Sequence, residues 1–157
     1  MPKMRTEAPE WIDGAPLVFS NTIEIAATPS DVWQRLADHV AWSEWFPSLD
    51  KVEVTGAPAG VGGKRRVTVN RLALDEEFTA WTEAEQFAFA IVKSPLPFVA
   101  VIAEDIQLEA TDAGCTVTYR QGIEARKGCG WLAKAAFGSL DAGTAEALQN
   151  LKSLIET

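Results

Sequence analysis

The run Val99-Ala-Val-Ile-Ala-Glu-Asp-Ile-Gln-Leu-Glu-Ala110, then Thr111-Asp-Ala-Gly114, then Cys115-Thr-Val-Thr-Tyr-Arg-Gln-Gly-Ile-Glu-Ala125 decides how this chain folds. Two long alternating stretches flank four residues that end in Gly, which supplies a positive φ in a tight turn. They read as an antiparallel hairpin. Residues 126–130, Arg-Lys-Gly-Cys-Gly, form a flexible joint. After the joint, residues 131–156 read as one helix about 39 Å long at 1.5 Å per residue. Leu132, Ala136, Leu140, Gly143, Ala147, Leu151 and Ile155 recur along it in steps of three and four, a single apolar stripe.

Upstream of the hairpin the same kind of punctuation repeats. Residues 49–55, 64–70, 72–83 and 87–92 alternate or run apolar, separated by Gly-, Pro- or Glu-containing breaks. Further back, residues 17–25 read as a strand, with Ile23 and Ile25 on one face and Thr22 and Glu24 on the other. Thr28-Pro29-Ser30-Asp31 is a helix start, and Val32, Trp33, Leu36 and Ala37 continue it at helical spacing. A second short helix spans about residues 40–44, ended by Trp45-Phe46-Pro47. The expectation is an α+β fold: an antiparallel sheet of six to seven strands, two short helices after the first strand, and a long C-terminal helix.

Bulk properties narrow the function. The 157 residues suit one domain at 17–157, preceded by a loosely ordered leader at 1–16 that Trp11 could anchor. Hydrophobic residues make up 47%, enough for a core without disulfides or metal. A net charge of −8 repels phosphate backbones and anionic headgroups, so nucleic acid is not an expected partner. No segment approaches the ~20 apolar residues of a membrane span, and residues 1–14 lack a signal-peptide core. A cytoplasmic location, without integral membrane association, is the expectation. With two cysteines and one histidine, the chain offers no zinc cluster and no Ser-His-Asp triad, so neither metal nor cofactor is expected.

A curved sheet cannot seal its concave face against itself; a helix laid across it closes the structure. Small residues on the helix, Ala136, Gly143 and Ala147, oppose strand positions Val67, Val69, Phe78, Phe89, Ile102, Ile106, Val117 and Tyr119. That pairing is compatible with close packing or with a cavity. Trp33, Trp42, Trp45 and Phe46 cluster at one end of the sheet, either as a plug or as a wall for an apolar guest.

An ordered set of residues carries a family resemblance. It comprises Ile23-Glu-Ile-Ala-Ala-Thr-Pro-Ser-Asp-Val-Trp33, Trp42-Ser-Glu-Trp-Phe-Pro47, Val52-Glu-Val54, Gly60-Val-Gly-Gly63, Phe78-Thr-Ala-Trp81, Phe87-Ala-Phe-Ala-Ile91, Val117-Thr-Tyr119 and the final helix. From about Ser20 to Ile155 the chain resembles the START-like, polyketide cyclase/dehydrase group of helix-grip proteins (the SRPBCC superfamily). The resemblance implies a curved sheet wrapped around the C-terminal helix, with a cavity between them. Mapped onto this chain, it implies pocket walls at Phe46, Val67, Val69, Phe78, Phe89, Ile102, Tyr119, Phe137 and Leu140.

Several polar residues fall on the inward face. Alternation puts Glu104 with Ile102 and Ile106, and Gln121 with Val117, Tyr119 and Ile123. A buried carboxylate either raises its pKa or finds a partner. Raised, Glu104 could act as general acid or base beside Tyr119; alternatively it sits at the mouth, solvated or paired with Arg71. Arg65 and Arg66 face opposite sides of their strand, so Arg65 could grip a ligand carboxylate. His39 reads as a cap or a surface residue, and Asp75-Glu76-Glu77 as a solvated edge. Three readings follow: a carrier of a small hydrophobic molecule such as a lipid, polyketide or aromatic metabolite; a cyclase or dehydratase using Glu104 and Tyr119; or a non-catalytic interaction protein with a filled core. A homodimer through a sheet edge is compatible with the pattern.

Overall fold

Gly114 closes the expected hairpin with φ +147°, and a Cβ there would collide with the Ile25 carbonyl oxygen, so the turn and the neighbouring strand both require glycine. The computed structural model describes residues 3–157. Seven strands form one sheet: β1 (Leu17–Ile25), β2 (Leu49–Val54), β3 (Lys64–Val69), β4 (Leu72–Thr82), β5 (Gln86–Lys93), β6 (Val99–Thr111) and β7 (Gly114–Ala125). Their order is β1-β7-β6-β5-β4-β3-β2, and every neighbouring pair is antiparallel. Strands 2 to 7 are thus a meander, and β1 adds to its β7 side. Register shifts in β2, β4 and β6 bend the ladder locally.

Between β1 and β2 lie α1 (Pro29–Ala37) and a 3₁₀ turn, Val40–Glu44. The Thr28 hydroxyl accepts the Asp31 N–H at 3.1 Å, and Pro29 occupies the first turn, where its missing N–H has no partner to lose. The Trp42 indole N–H donates to the Leu36 carbonyl at 2.9 Å and ties the 3₁₀ turn to α1. The long helix α2 (Gly130–Glu156) packs on β1 and β7. Its second half buries Thr144, Ala147, Leu148 and Leu151. Its first half stands away from the sheet: Ala133 is buried, but Leu132, placed on the inner stripe by the sequence, is exposed, and Trp131 is 74% exposed.

The leader differs from a loose segment. The Met4 and Arg5 N–H groups donate to the carbonyls of Val92 (3.0 Å) and Ala100 (3.1 Å). A 3₁₀ turn, Pro9–Gly14, then buries Ile12 completely. It docks against β7 where Gly122 has no side chain; a Cβ there would stand 3.0–3.1 Å from Trp11, Ala15 and Ile12. The Arg5 guanidinium completes the contact by donating to Glu124 at 2.9 Å. A glycine within a strand pattern marks such a close approach.

Candidate ligand cavity

A cavity of about 320 Å³ lies between the sheet and the first half of α2. Parity along the strands selects its wall. On β3, Arg65, Val67 and Val69 point in, and on β4 their cross-strand partners Glu76, Leu74 and Leu72 do the same. Phe89 and Ile91 of β5, Ile102 and Glu104 of β6 and Tyr119 of β7 continue the surface. Phe46 closes one side, and Ala136, Phe137, Leu140 and Gly143 roof it from α2.

Of the residues singled out from sequence, Phe46, Arg65, Val67, Val69, Phe89, Ile102, Glu104, Tyr119, Phe137 and Leu140 come together here. Three do not line the space. Trp33 packs edge-on against Trp81 with ring centres 5.0 Å apart. Phe78 stacks on Trp81 at 5.6 Å and meets Phe87 edge-on, filling that end of the core. Gln121 lies fully buried behind Glu104 and reaches the cavity only through it. Trp42, left open from sequence between plug and wall, lines the cavity, whereas Leu96 and Phe98 in the Pro-rich loop, and Glu76, were missed. Glu76 had a signal: the alternation that turns Phe78 inward also turns in the residue two positions before it.

The polar groups form two closed sets. In the first, Glu104 Oε1 accepts the Tyr119 hydroxyl at 2.9 Å and the Gln121 amide at 3.0 Å. The same amide nitrogen also reaches the Thr144 hydroxyl oxygen of α2 at 3.0 Å. Among the described residues, no side chain bonds to Glu104 Oε2. Glu104 lines the cavity and keeps part of its surface. Burial dominates and pushes its carboxyl up to about 7, with Glu76 nearby adding to the rise. Burial and Glu104 likewise push the Tyr119 phenol well above its ordinary value. No partnership with Arg71 forms; that residue sits in the β3–β4 turn, its N–H donating to Asp50 at 2.9 Å.

The second set corrects three expectations. Arg65 is not a free hook for a carboxylate: its Nε donates to Glu76 at 2.5 Å, with both side chains almost wholly buried. Glu76 is therefore no solvated edge, although its neighbour Asp75 faces outward and pairs with Arg66. Burial pushes the Glu76 carboxyl up even with Arg65 against it. His39 stands at the N-cap of the 3₁₀ turn but its side chain makes no capping hydrogen bond, and it is buried rather than on the surface. Its Nδ1 receives Arg65 Nη1 at 3.2 Å, so its other nitrogen carries the proton and donates to the Pro58 carbonyl at 2.7 Å. Burial, with Arg65 adding to it, lowers His39 to about 4 and keeps it neutral. The Arg65 guanidinium lies 4.0 Å over the Trp42 ring and 4.7 Å from that of Phe89.

These shifts set opposite pH slopes. Glu104 rises from 4.5 to about 7, so the folded protein holds a proton that the unfolded chain releases; the stability this gives is present below pH 4.5 and lost as pH climbs toward 7. His39 falls from 6.5 to about 4, so stability is lost as pH drops through that interval. The two oppose each other where they overlap, and a variant separates them. Glu104→Gln keeps an acceptor for Tyr119 and Gln121. It is expected to match the wild type in thermal melting near pH 4.5 and to exceed it at pH 8; a difference that does not change with pH would contradict the shift.

The chain belongs to the family of polyketide cyclase/dehydrase and lipid transport proteins, which it matches over residues 16–156. An uncharacterised protein of Mycobacterium tuberculosis is 35% identical over 111 residues, 69% of this chain; the match spans 66% of that relative's own length, slightly under two thirds. Among solved structures, the Zhui aromatase/cyclase from a Streptomyces species superimposes with a TM-score of 0.72 at 17% identity, covering 89% of this chain and 93% of that one. A Thermus thermophilus protein does so with a TM-score of 0.72 at 16% identity, covering 88% and 97%. At these identities the likeness is one of fold, a helix-grip arrangement of sheet and long helix. No described helix is long and apolar enough to cross a membrane. Among the described residues no group of three or more His, Cys, Asp or Glu could hold a metal ion.

Proposed function

We propose that this protein binds one small, uncharged, largely apolar molecule in the cavity beneath α2. The observation that carries this reading is the space itself. Its 320 Å³ falls within the ~300–1,000 Å³ of small-molecule sites, and its wall is mostly apolar, with Glu104, Tyr119, a self-paired Arg65–Glu76 and the side chains of Ser48, Asn70 and Ser139 as its polar groups. Burying apolar ligand surface contributes about 25 cal/mol per Å². A lipid, a polyketide or an aromatic metabolite fits that chemistry. A charged acid does not, because Glu76 and Glu104 together outnumber Arg65. The acidic chain suits a cytoplasmic carrier.

The second reading, a cyclase or dehydratase, is favoured by Glu104. A carboxyl near 7 is matched to proton transfer at neutral pH, and the Tyr119 hydroxyl lies 2.9 Å from it. The Streptomyces fold relative carries the description aromatase/cyclase. Against it, the Tyr119 hydroxyl already donates its hydrogen bond to Glu104, and that bond would have to break before the hydroxyl could polarise a substrate carbonyl.

Native mass spectrometry of freshly purified protein tests the binding reading. The expected spectrum contains a second species heavier by one small molecule that heating in organic solvent removes. A single unliganded mass, together with no uptake of the neutral probe N-phenyl-1-naphthylamine, would overturn it. If a ligand is found, conversion of that molecule by the wild type but not by Glu104→Gln would move the assignment to the enzyme.

A further inference from the structure

We propose that the ligand carries a hydroxyl group and enters with it foremost, donating its hydrogen to Glu104 Oε2 at the cavity floor. The inference rests on the binding reading above and adds the ligand's polar chemistry and its direction of entry.

Elimination carries it. Among the polar side chains near the floor, Arg65 spends Nε on Glu76 and Nη1 on His39. The Gln121 amide nitrogen is shared between Glu104 and Thr144, and its oxygen is sealed away from the cavity. The Tyr119 hydroxyl donates to Glu104. Arg65 Nη2 and Glu76 Oε1 also lack a further partner, but their side chains are only 1% and 4% exposed, covered by their own pair. Ser48, Asn70 and Ser139 line the cavity as well, but Asn70 and Ser139 are exposed and Ser48 half-buried. Of the floor groups, Glu104 keeps the most surface, and its Oε2 has no protein partner. It is an acceptor at the bottom of an apolar chamber. A hydroxyl donor arriving there forms a charge-assisted hydrogen bond against a largely apolar surround. An ether of the same shape leaves the carboxylate unsatisfied, and sites built around one buried polar group reject such analogues strongly.

The same geometry fixes the effect of protonation. Oε1 already accepts two hydrogen bonds, so a proton taken up by Glu104 goes to Oε2 and turns the floor into a donor. The charged and titratable groups that bear on Glu104 are Glu76, Arg65 and Tyr119, with His39 beyond Arg65; through Gln121, α2 contributes only the neutral Thr144. With the carboxyl near 7, a ketone is favoured at acid pH and disfavoured at alkaline pH. A hydroxyl, which both donates and accepts, binds across the range.

The test uses three naphthalenes of similar bulk, titrated calorimetrically into the intact protein at pH 5.5 and pH 8: 2-naphthol, 2-methoxynaphthalene and 2-acetylnaphthalene. At pH 8 the naphthol is expected to bind at least about tenfold more tightly than the ether, equivalent to ~1.4 kcal/mol. The acetyl compound should weaken from pH 5.5 to pH 8 while the naphthol does not. In Glu104→Gln the amide keeps its oxygen on Tyr119 and Gln121 and turns its NH₂ to the cavity. The acetyl compound should then be favoured over the naphthol at both pH values. Equal affinities for naphthol and ether at pH 8 in the wild type would overturn the inference, while leaving an apolar cavity intact. Failure of all three to bind would instead sink the cavity reading, and this inference with it.

Discussion

Replacing Arg65 with Leu is expected to cost about 3–5 kcal/mol of stability at neutral pH, the usual result of removing one partner from a buried ion pair. On a chain of this size that lowers the melting temperature by roughly 6–20 °C. The physical reason is what the substitution leaves behind. Glu76 keeps its place beside Trp42, Phe89 and Glu104 but loses the cation paired with it. His39 Nδ1 also loses its donor, and three aromatic rings lose the flat guanidinium packed against them. Two companion measurements make the cause visible. The penalty should shrink at acid pH, where Glu76 can be neutralised. It should largely disappear in the double variant Arg65→Leu/Glu76→Leu, because an apolar pair of similar volume replaces the ions without leaving a charge unpaired. A single-variant cost below about 1 kcal/mol would mean that the pair is solvated and the cavity floor is wetter than its burial indicates.

This pair also shows how far sequence could reach. The alternating strands, the Gly114 turn, the Thr28-Pro29 helix start and the long final helix were all legible, because each rests on local chemistry: a period, a cap, a positive φ. Which face of each strand looks inward was legible for the same reason. The pairing of Arg65 with Glu76 needed one further fact, the turn between β3 and β4. Asn70 and Arg71 both take positive φ, at 49° and 72°, and make a two-residue connection. Val69 then faces Leu72, and counting back along both strands sets Arg65 opposite Glu76. Asn suits that conformation, but Arg at the second place hid it.

Other features depended on contacts between distant segments. His39 is buried because the loop carbonyl of Pro58 and the Arg65 side chain converge on its two nitrogens, and nothing near residue 39 announces that. Trp33 and Phe78 were assigned to the cavity because they are large, apolar and inward. Size alone does not distinguish a wall from a plug; their packing against Trp81, edge-on for Trp33 and stacked for Phe78, does. Leu96 and Phe98 belong to a Pro-containing loop, where strand parity gives no guidance.

The second large effect concerns the cavity itself. Gly143 lies on the face of α2 that carries Leu140 and the buried Ala147, it lines the cavity, and a Cβ added to it would meet no atom within 4 Å. A large side chain there grows into the space proposed for the ligand. Gly143→Phe is therefore expected to cut ligand affinity at least tenfold, about 1.4 kcal/mol. Unlike most insertions into a core, it should not destabilise the protein. Removing a helix-interior glycine contributes roughly 0.5–1 kcal/mol, and the ring covers apolar wall that is otherwise uncovered. Gly143→Leu should act in the same direction with a smaller effect.

The decisive measurement is a paired one: thermal melting and N-phenyl-1-naphthylamine titration of the wild type and Gly143→Phe, side by side. An unoccupied apolar space under α2 predicts a melting temperature that holds or rises while probe binding is lost. A sharp fall in melting temperature would mean that the protein's own side chains already fill the gap, and undiminished binding would mean that the guest sits elsewhere.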